Sequence, residues 1–170
     1  MNTRRQRGQT GASILEFTLV GIGMIFVLIS FFEMARGMWT YQTLGYAVRE
    51  GTRYAVMHGK NCAYPNTCQV TVGQIVSVIK AAGPGLDPDR TTVTLTTNGG
   101  VSLSNTMTVM MGVSTVWPPV SDYSPGQNIQ ISASYPFKTV LAMFWAGAGH
   151  ALNDSQTFNL GASSTEPIQF

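Results

Sequence analysis

Gly11-Ala12-Ser13-Ile14-Leu15-Glu16-Phe17 leads into Thr18-Leu19-Val20-Gly21-Ile22-Gly23-Met24-Ile25-Phe26-Val27-Leu28-Ile29-Ser30-Phe31-Phe32 and then into a proline-free helical pattern from Glu33 to Met57. This stretch decides the fold. From Phe17 the apolar run is about 16 residues, and about 19 counted from Ile14, close to the ~20 that a helix needs to cross a hydrocarbon core. Arg4, Arg5 and Arg7 precede it, a charge cluster that holds an N-terminus on the cytoplasmic side and sends the remainder across. A secretory signal peptide opens the same way. Here, however, Glu33-Met34-Ala35-Arg36-Gly37-Met38-Trp39 is a poor small-x-small cleavage site, and the helical pattern runs straight through it. The span is therefore read as retained.

The whole chain has 170 residues, 11% of them charged, with a formal net charge of +2. That charge content is well below the roughly 25% usual for soluble proteins, and dispersed Lys and Arg beyond the N-terminal cluster exclude a nucleic-acid partner. The division expected is a basic leader over 1–11, a transmembrane helix and stalk over 12–57, and an extracytoplasmic head over 58–170. Residues 1–10 are expected to be disordered. The fold class is α+β: one long N-terminal helix and a small antiparallel sheet with short helices.

Glu16 is the unusual residue in the span. A carboxylate carried to mid-bilayer costs roughly 2.5–3.5 kcal/mol, whereas one near a helix start is tolerated by the dipole. Its place suggests a second reading. Gly11 followed by Ala12, with Glu16 fifth after Gly11, resembles the prepilin processing signal of the type IV pilin superfamily. In that signal a Gly precedes the cut and a Glu stands at the fifth mature position. Cleavage would leave the Ala12 ammonium free to neutralise a Glu16 on the same or a neighbouring subunit.

Beyond Phe32 the pattern continues as a stalk. Met34, Met38, Tyr41, Gly45, Val48, Thr52 and Ala55 recur at spacings of four and three, one seam of small and apolar side chains. Gly37, Gly45 and Gly51 each cost about 1 kcal/mol against Ala in an exposed helix, which makes sense where another surface approaches closely. Trp39 and Tyr41 fall where amphipathic rings meet a membrane–water interface. Taken alone, Arg49, Glu50 and Arg53 read as a solvated helix face.

Two blocks carry a further resemblance. Arg7-Gly8-Gln9 stands before the Glu-Phe span. Phe32-Glu33-Met34-Ala35-Arg36-Gly37-Met38-Trp39-Thr40-Tyr41-Gln42 runs into Ala47-Val48-Arg49-Glu50-Gly51-Thr52-Arg53-Tyr54-Ala55-Val56. Together they resemble the TadE-like family of tight-adherence (Flp-type) pilus assembly proteins, in which a Glu-x-x-Arg closes the span and an Ala-x-Arg-Glu-Gly-x-Arg-Tyr-Ala block ends the stalk. The likeness is close over 7–57 and only patterned afterwards. It implies a minor-pilin-like (pseudopilin) subunit in the bacterial inner membrane, cut by a prepilin peptidase and packing against other pilins through Glu16 and Phe17. It also turns Glu33, Arg36, Arg49, Glu50 and Arg53 into a structural ion cluster between stalk and head.

Cys62 and Cys68 flank a turn with Pro65 and Asn66. In an oxidising compartment they read as a short disulfide, stabilising by ~2 kcal/mol on loop-length scaling; independent thiols are the other reading, and a metal site lacks ligands. Val70 to Ala82 places Val72, Ile75, Val76 and Ile79 on a helical stripe ended by Gly83-Pro84. Thr91–Thr97 alternates around Val93 and Leu95 as a strand turning at Asn98-Gly99-Gly100. Val101–Val116 reads as a less regular strand with Met107, Val109 and Met111 on one face, as core filling. Trp117–Gly126 is expected to be an exposed loop because of its prolines. Gln127–Tyr135 is a strand with Ile129, Ile131 and Ala133 inward, broken by Pro136; the unit from Ile129 to Phe137 is also similar to TadE-like heads. Lys138–Trp145 is a short helix or a membrane- or partner-leaning patch, and Thr157–Ser164 a last strand.

No nucleophile elbow, phosphate loop, dinucleotide fingerprint or zinc motif occurs. His58 is expected to be hydrated at the stalk end, His150 lies in a Gly/Ala run, and Asp87-Pro88-Asp89 reads as turn chemistry rather than a calcium loop. The expectation is no enzyme, no cofactor, no metal and no small-molecule substrate. A tethered binding module using Trp117–Gly126 or Phe137–Trp145 is the alternative, and an anchored hydrolase has no constellation to support it.

Overall fold

A computed structural model describes residues 9–61, 68–140 and 157–169, with side chains from Ser13 onward. The fold is α+β. Helix α1 runs Gln9–Val56, 48 residues, about 72 Å at 1.5 Å per residue. It is followed by β1 (Val70–Thr71), α2 (Val72–Ala82), β2 (Thr92–Thr97), β3 (Ser102–Thr106), α3 (Met107–Met111), β4 (Val116–Trp117), β5 (Asn128–Lys138) and β6 (Thr157–Pro167). The helix begins by Gln9, so Gln9 and Thr10 are helical; residues 1–8 lie outside the described residues.

One helix therefore serves two surroundings. From Ser13 to Phe32 it touches almost nothing: Phe17 is 80% exposed and Phe32 74%. From Leu44 to Val56 it is core, with Leu44, Ala47, Val48, Ala55 and Val56 all buried. That lower half packs on β5 and β6 and against α2. The main sheet is antiparallel, in the order β3-β2-β5-β6. Its inner face is set by alternation, because successive side chains on a strand point to opposite faces. Leu95 stands opposite Ile131 and Val93 opposite Ala133, and all four are buried. The outer face carries Thr92, Thr94, Thr96, Ser132 and Ser134 at the intervening positions.

α2 forms where its stripe predicts. Val72, Ile75, Val76 and Ile79 are buried, and a capping box closes its start: Thr71 Oγ1 accepts from the Gln74 amide at 3.3 Å, and the Gln74 side chain accepts from the Thr71 amide at 2.9 Å. Such a box satisfies two of the orphan donors at a helix start. Gly83 ends the helix. Val70 and Thr71 are not its first turn, however; they pair with Trp117 and Val116 as a two-residue ladder.

Four expectations are corrected. The region after Ser102 is a strand only to Thr106; Met107–Met111 forms a helical turn, so Met107 and Met110, three apart, are buried while Val109 is 53% exposed. The stretch from Trp117 is not simply an exposed loop, since Trp117 is 1% exposed and Asp122 is buried. Pro136 does not end β5, which continues to Lys138 against β6. Its carbonyl accepts from the Arg90 guanidinium at 2.8 Å, and the absent N–H would face the same side, where β2 has already ended opposite Ser134. No ladder bond is lost there. Lastly, the stalk seam is split: Val48, Thr52 and Ala55 are buried in the head, while Met34, Met38 and Tyr41 are exposed.

β6 appears where expected and extends to Pro167. The segment from Leu141 to Trp145, and His150, lie outside the described residues.

Candidate functional site

Two features stand out, an apolar rod and the joint that holds the head to it. Along the rod the exposed side chains are Ile, Leu, Val, Phe and Met, an apolar surface far larger than a water-facing patch normally tolerates. The hydroxyls of Thr18 and Ser30 are already satisfied within the helix: Thr18 donates to the Ile14 carbonyl at 2.7 Å and Ser30 to that of Phe26 at 2.8 Å. Hydrocarbon offers polar groups no other partner. α1 is long and apolar enough to cross a membrane, and its most apolar stretch is unburied. Gly11 and Ala12 are helical positions in it, and Glu16 and Phe17 are exposed on its surface.

The joint is built one residue past the apolar run. Glu33 Oε2 accepts three bonds: from Arg36 Nη2 at 3.0 Å, from Thr139 Oγ1 at 3.1 Å and from the Val140 amide at 3.0 Å. Arg36 in turn donates to the Lys138 carbonyl at 2.5 Å and lies over the Phe137 ring, 4.6 Å from its centroid. Gly37 faces the same ring, but a Cβ there would stand 3.6 Å from Phe137 Cζ, an ordinary contact, so the fit does not require glycine. Burial by itself would raise the Glu33 carboxyl. The bonds from Val140, Thr139 and Arg36 outweigh it and hold the group below the usual carboxylate range. Thus the Glu-x-x-Arg pair clamps the end of β5 to the helix. The pair was legible in the sequence; its partners at 137–140 were not.

The other charged residues are separate. Arg53 and Glu50 approach to 3.9 Å on an exposed face, a geometry worth little in stability. Arg49 is exposed beside a groove formed with Tyr41, Gln42, Gly45, Tyr46 and residues 161–163. Glu50 lies 17 positions beyond Glu33, about 25 Å along a helix, so the five residues do not form one cluster. Arg90 provides a second hold on β5, through the Pro136 carbonyl and the Tyr135 ring at 5.7 Å.

Two further positions differ from expectation. His58 is buried rather than hydrated: its Nδ1 lies 2.6 Å from the Tyr54 carbonyl and its ring 4.5 Å from that of Tyr54. Asp122, which sequence reasoning did not single out, accepts from the buried Thr97 hydroxyl at 2.6 Å and packs where a side chain on Gly99 would be. Asp87 behaves as turn chemistry, its Oδ1 accepting from the Asp89 amide at 3.1 Å. Cys62 lies outside the described residues.

Residues 11–53 match the family model described as TadE-like protein. This stretch is similar to TadE-like proteins. It contains the apolar rod, both members of the Glu33–Arg36 clamp and the Arg49–Arg53 block, and covers about a quarter of the chain. The TadE-like segment thus ends inside the head's core, and the sheet lies beyond the match. No curated protein and no solved structure gives a significant match.

Proposed function

We propose that this chain is a pilin-like structural or assembly subunit of a tight-adherence pilus system, inserted in the bacterial inner membrane through α1. The observation that carries the reading is one uninterrupted helix with an unburied apolar half and a head-building polar half, inside the TadE-like segment. In this reading the N-terminus is cytoplasmic and the head extracytoplasmic. A prepilin peptidase cuts between Gly11 and Ala12, and Glu16 and Phe17 meet sibling pilins in the bilayer. The subunit is structural rather than catalytic. Cys62 and Cys68 form a disulfide on the exported side; in support, no free cysteine occurs among the described residues and Cys68 does not stand as a free thiol. The tethered binding module is less well supported, since Trp117 is buried and Phe137 is committed beneath Arg36.

The test is mass spectrometry of the protein recovered from cells with and without the peptidase, together with extraction of membranes by alkaline carbonate. An N-terminus at Ala12 that depends on the peptidase, in a fraction resisting extraction, is expected. An intact leader overturns the processing, and release by carbonate overturns the anchor. Glu16→Ala is expected to leave membrane insertion unchanged and to abolish co-purification with sibling pilins.

A further inference from the structure

We infer that copies of this chain join side by side through the sheets of their heads, the outer edge of β6 in one copy receiving β3 of the next. The inference rests on the membrane reading above. β3 and β6 are the two edges of the main sheet, and among the described residues no strand pairs with the outer side of either. Exposed edges are ordinarily protected by charge, proline or bulges. β3 reads Ser-Leu-Ser-Asn-Thr, and β6 from Phe158 to Thr165 has neither charge nor proline. The middle of β6 opens on a groove of about 530 Å³, walled by Tyr41, Gly45, Tyr46 and Arg49 of α1. A Cβ on Gly45 would meet nothing within 4 Å.

The membrane selects which edges meet. α1 packs on the sheet face over β5 and β6, so its axis runs near the sheet plane and the sheet stands upright on the bilayer. Two β6 edges pair antiparallel only about a two-fold axis perpendicular to the sheet. That operation reverses α1, so the two anchors would point in opposite directions. The order β3-β2-β5-β6 is antiparallel at every step, so β3 and β6 run opposite to each other. A copy displaced sideways in the same membrane therefore offers β3 antiparallel to β6 with both anchors parallel.

Register supports the fit. Ser104 lies level with Thr94, Ser132 and Ser163 across the sheet, so Ser104 of a neighbouring copy comes level with Ser163. Leu103, on the helix side with Leu95 and only partly buried, then faces the α1 wall of the groove. The contact is head-to-tail and does not close, which builds rows rather than dimers. A ladder of five residues falls below the ~1,000 Å² of a stable interface. Shared anchoring supplies the effective concentration it needs.

The experiment is thiol cross-linking of the full-length chain in membranes with a short bifunctional reagent, wild type setting the background from Cys62 and Cys68. Ser104→Cys and Ser163→Cys expressed together are expected to give a dimer well above background, the double variant a ladder, and each single variant alone nothing above wild type. Ser163→Cys cross-linking alone as well as the mixture overturns the inference. So does the absence of cross-links in every combination while carbonate extraction shows the chain anchored. Release of the chain by carbonate instead removes the membrane reading and this inference together.

Discussion

Gly45 and Gly51 lie on the same helix six residues apart, yet replacing each by alanine should have opposite effects. In a helix interior the change Gly→Ala is worth about 1 kcal/mol in favour of the helix. At Gly45 the new methyl meets nothing within 4 Å, so that gain stands. At Gly51 it runs into Ile79, overlapping Cγ1 and lying 2.8 Å from Cδ1. Ile79 is fully buried in α2, and a β-branched side chain in a helix has essentially one χ1 rotamer, so it cannot swing aside. Overpacking of this kind costs typically ~1–3 kcal/mol. Subtracting one variant from the other removes the helix-propensity contribution and leaves the clash, so Gly51→Ala should lie ~1–3 kcal/mol below Gly45→Ala. The measurement is urea unfolding of the full-length chain in mild detergent, followed by near-ultraviolet circular dichroism. Combining Gly51→Ala with Ile79→Ala should cost less than the sum of the two alone, because contacting residues couple. Equal midpoints for Gly45→Ala and Gly51→Ala would refute the claim that Gly51 is there to admit Ile79.

Glu33→Gln should loosen the clamp by about 1 kcal/mol, discounted because Arg36 is half exposed, and amide exchange at Val140 should quicken. The advantage of wild type over Glu33→Gln should be full above the ordinary Glu value of ~4.3. Because the folded-state group is held lower, that advantage should fade as pH falls through the lowered value; a pH-independent difference would exclude the carboxylate. Asp122→Ala removes the acceptor of the buried Thr97 hydroxyl and should cost ~1–3 kcal/mol in the same urea assay. Ser121→Ala, an exposed neighbour, should change the midpoint little.

The rod was legible in the sequence because everything that makes it is local: an apolar run of membrane length, no proline, and charge placed before it. The same holds for α2, whose stripe and capping residues lie within one short segment, and for the alternation around Val93 and Leu95. What local pattern left open is which of several stripes on a long helix would be covered. Met34, Met38 and Tyr41 continue the spacing of Val48, Thr52 and Ala55, yet only the second group meets the head: at the upper end the head closes on another side of the helix, through Glu33, Arg36 and Gly37, and leaves the three exposed. Glu33 and Arg36 are three apart on one helix, but the bonds that make them a clamp come from Thr139 and Val140, the first of these 106 positions away. Trp117 followed by two prolines reads as surface, and its burial depends on Val70 pairing opposite it. Periodicity determines what a segment can become. Its neighbours in space are decided by how the whole chain closes around one core, and that only the tertiary structure supplies.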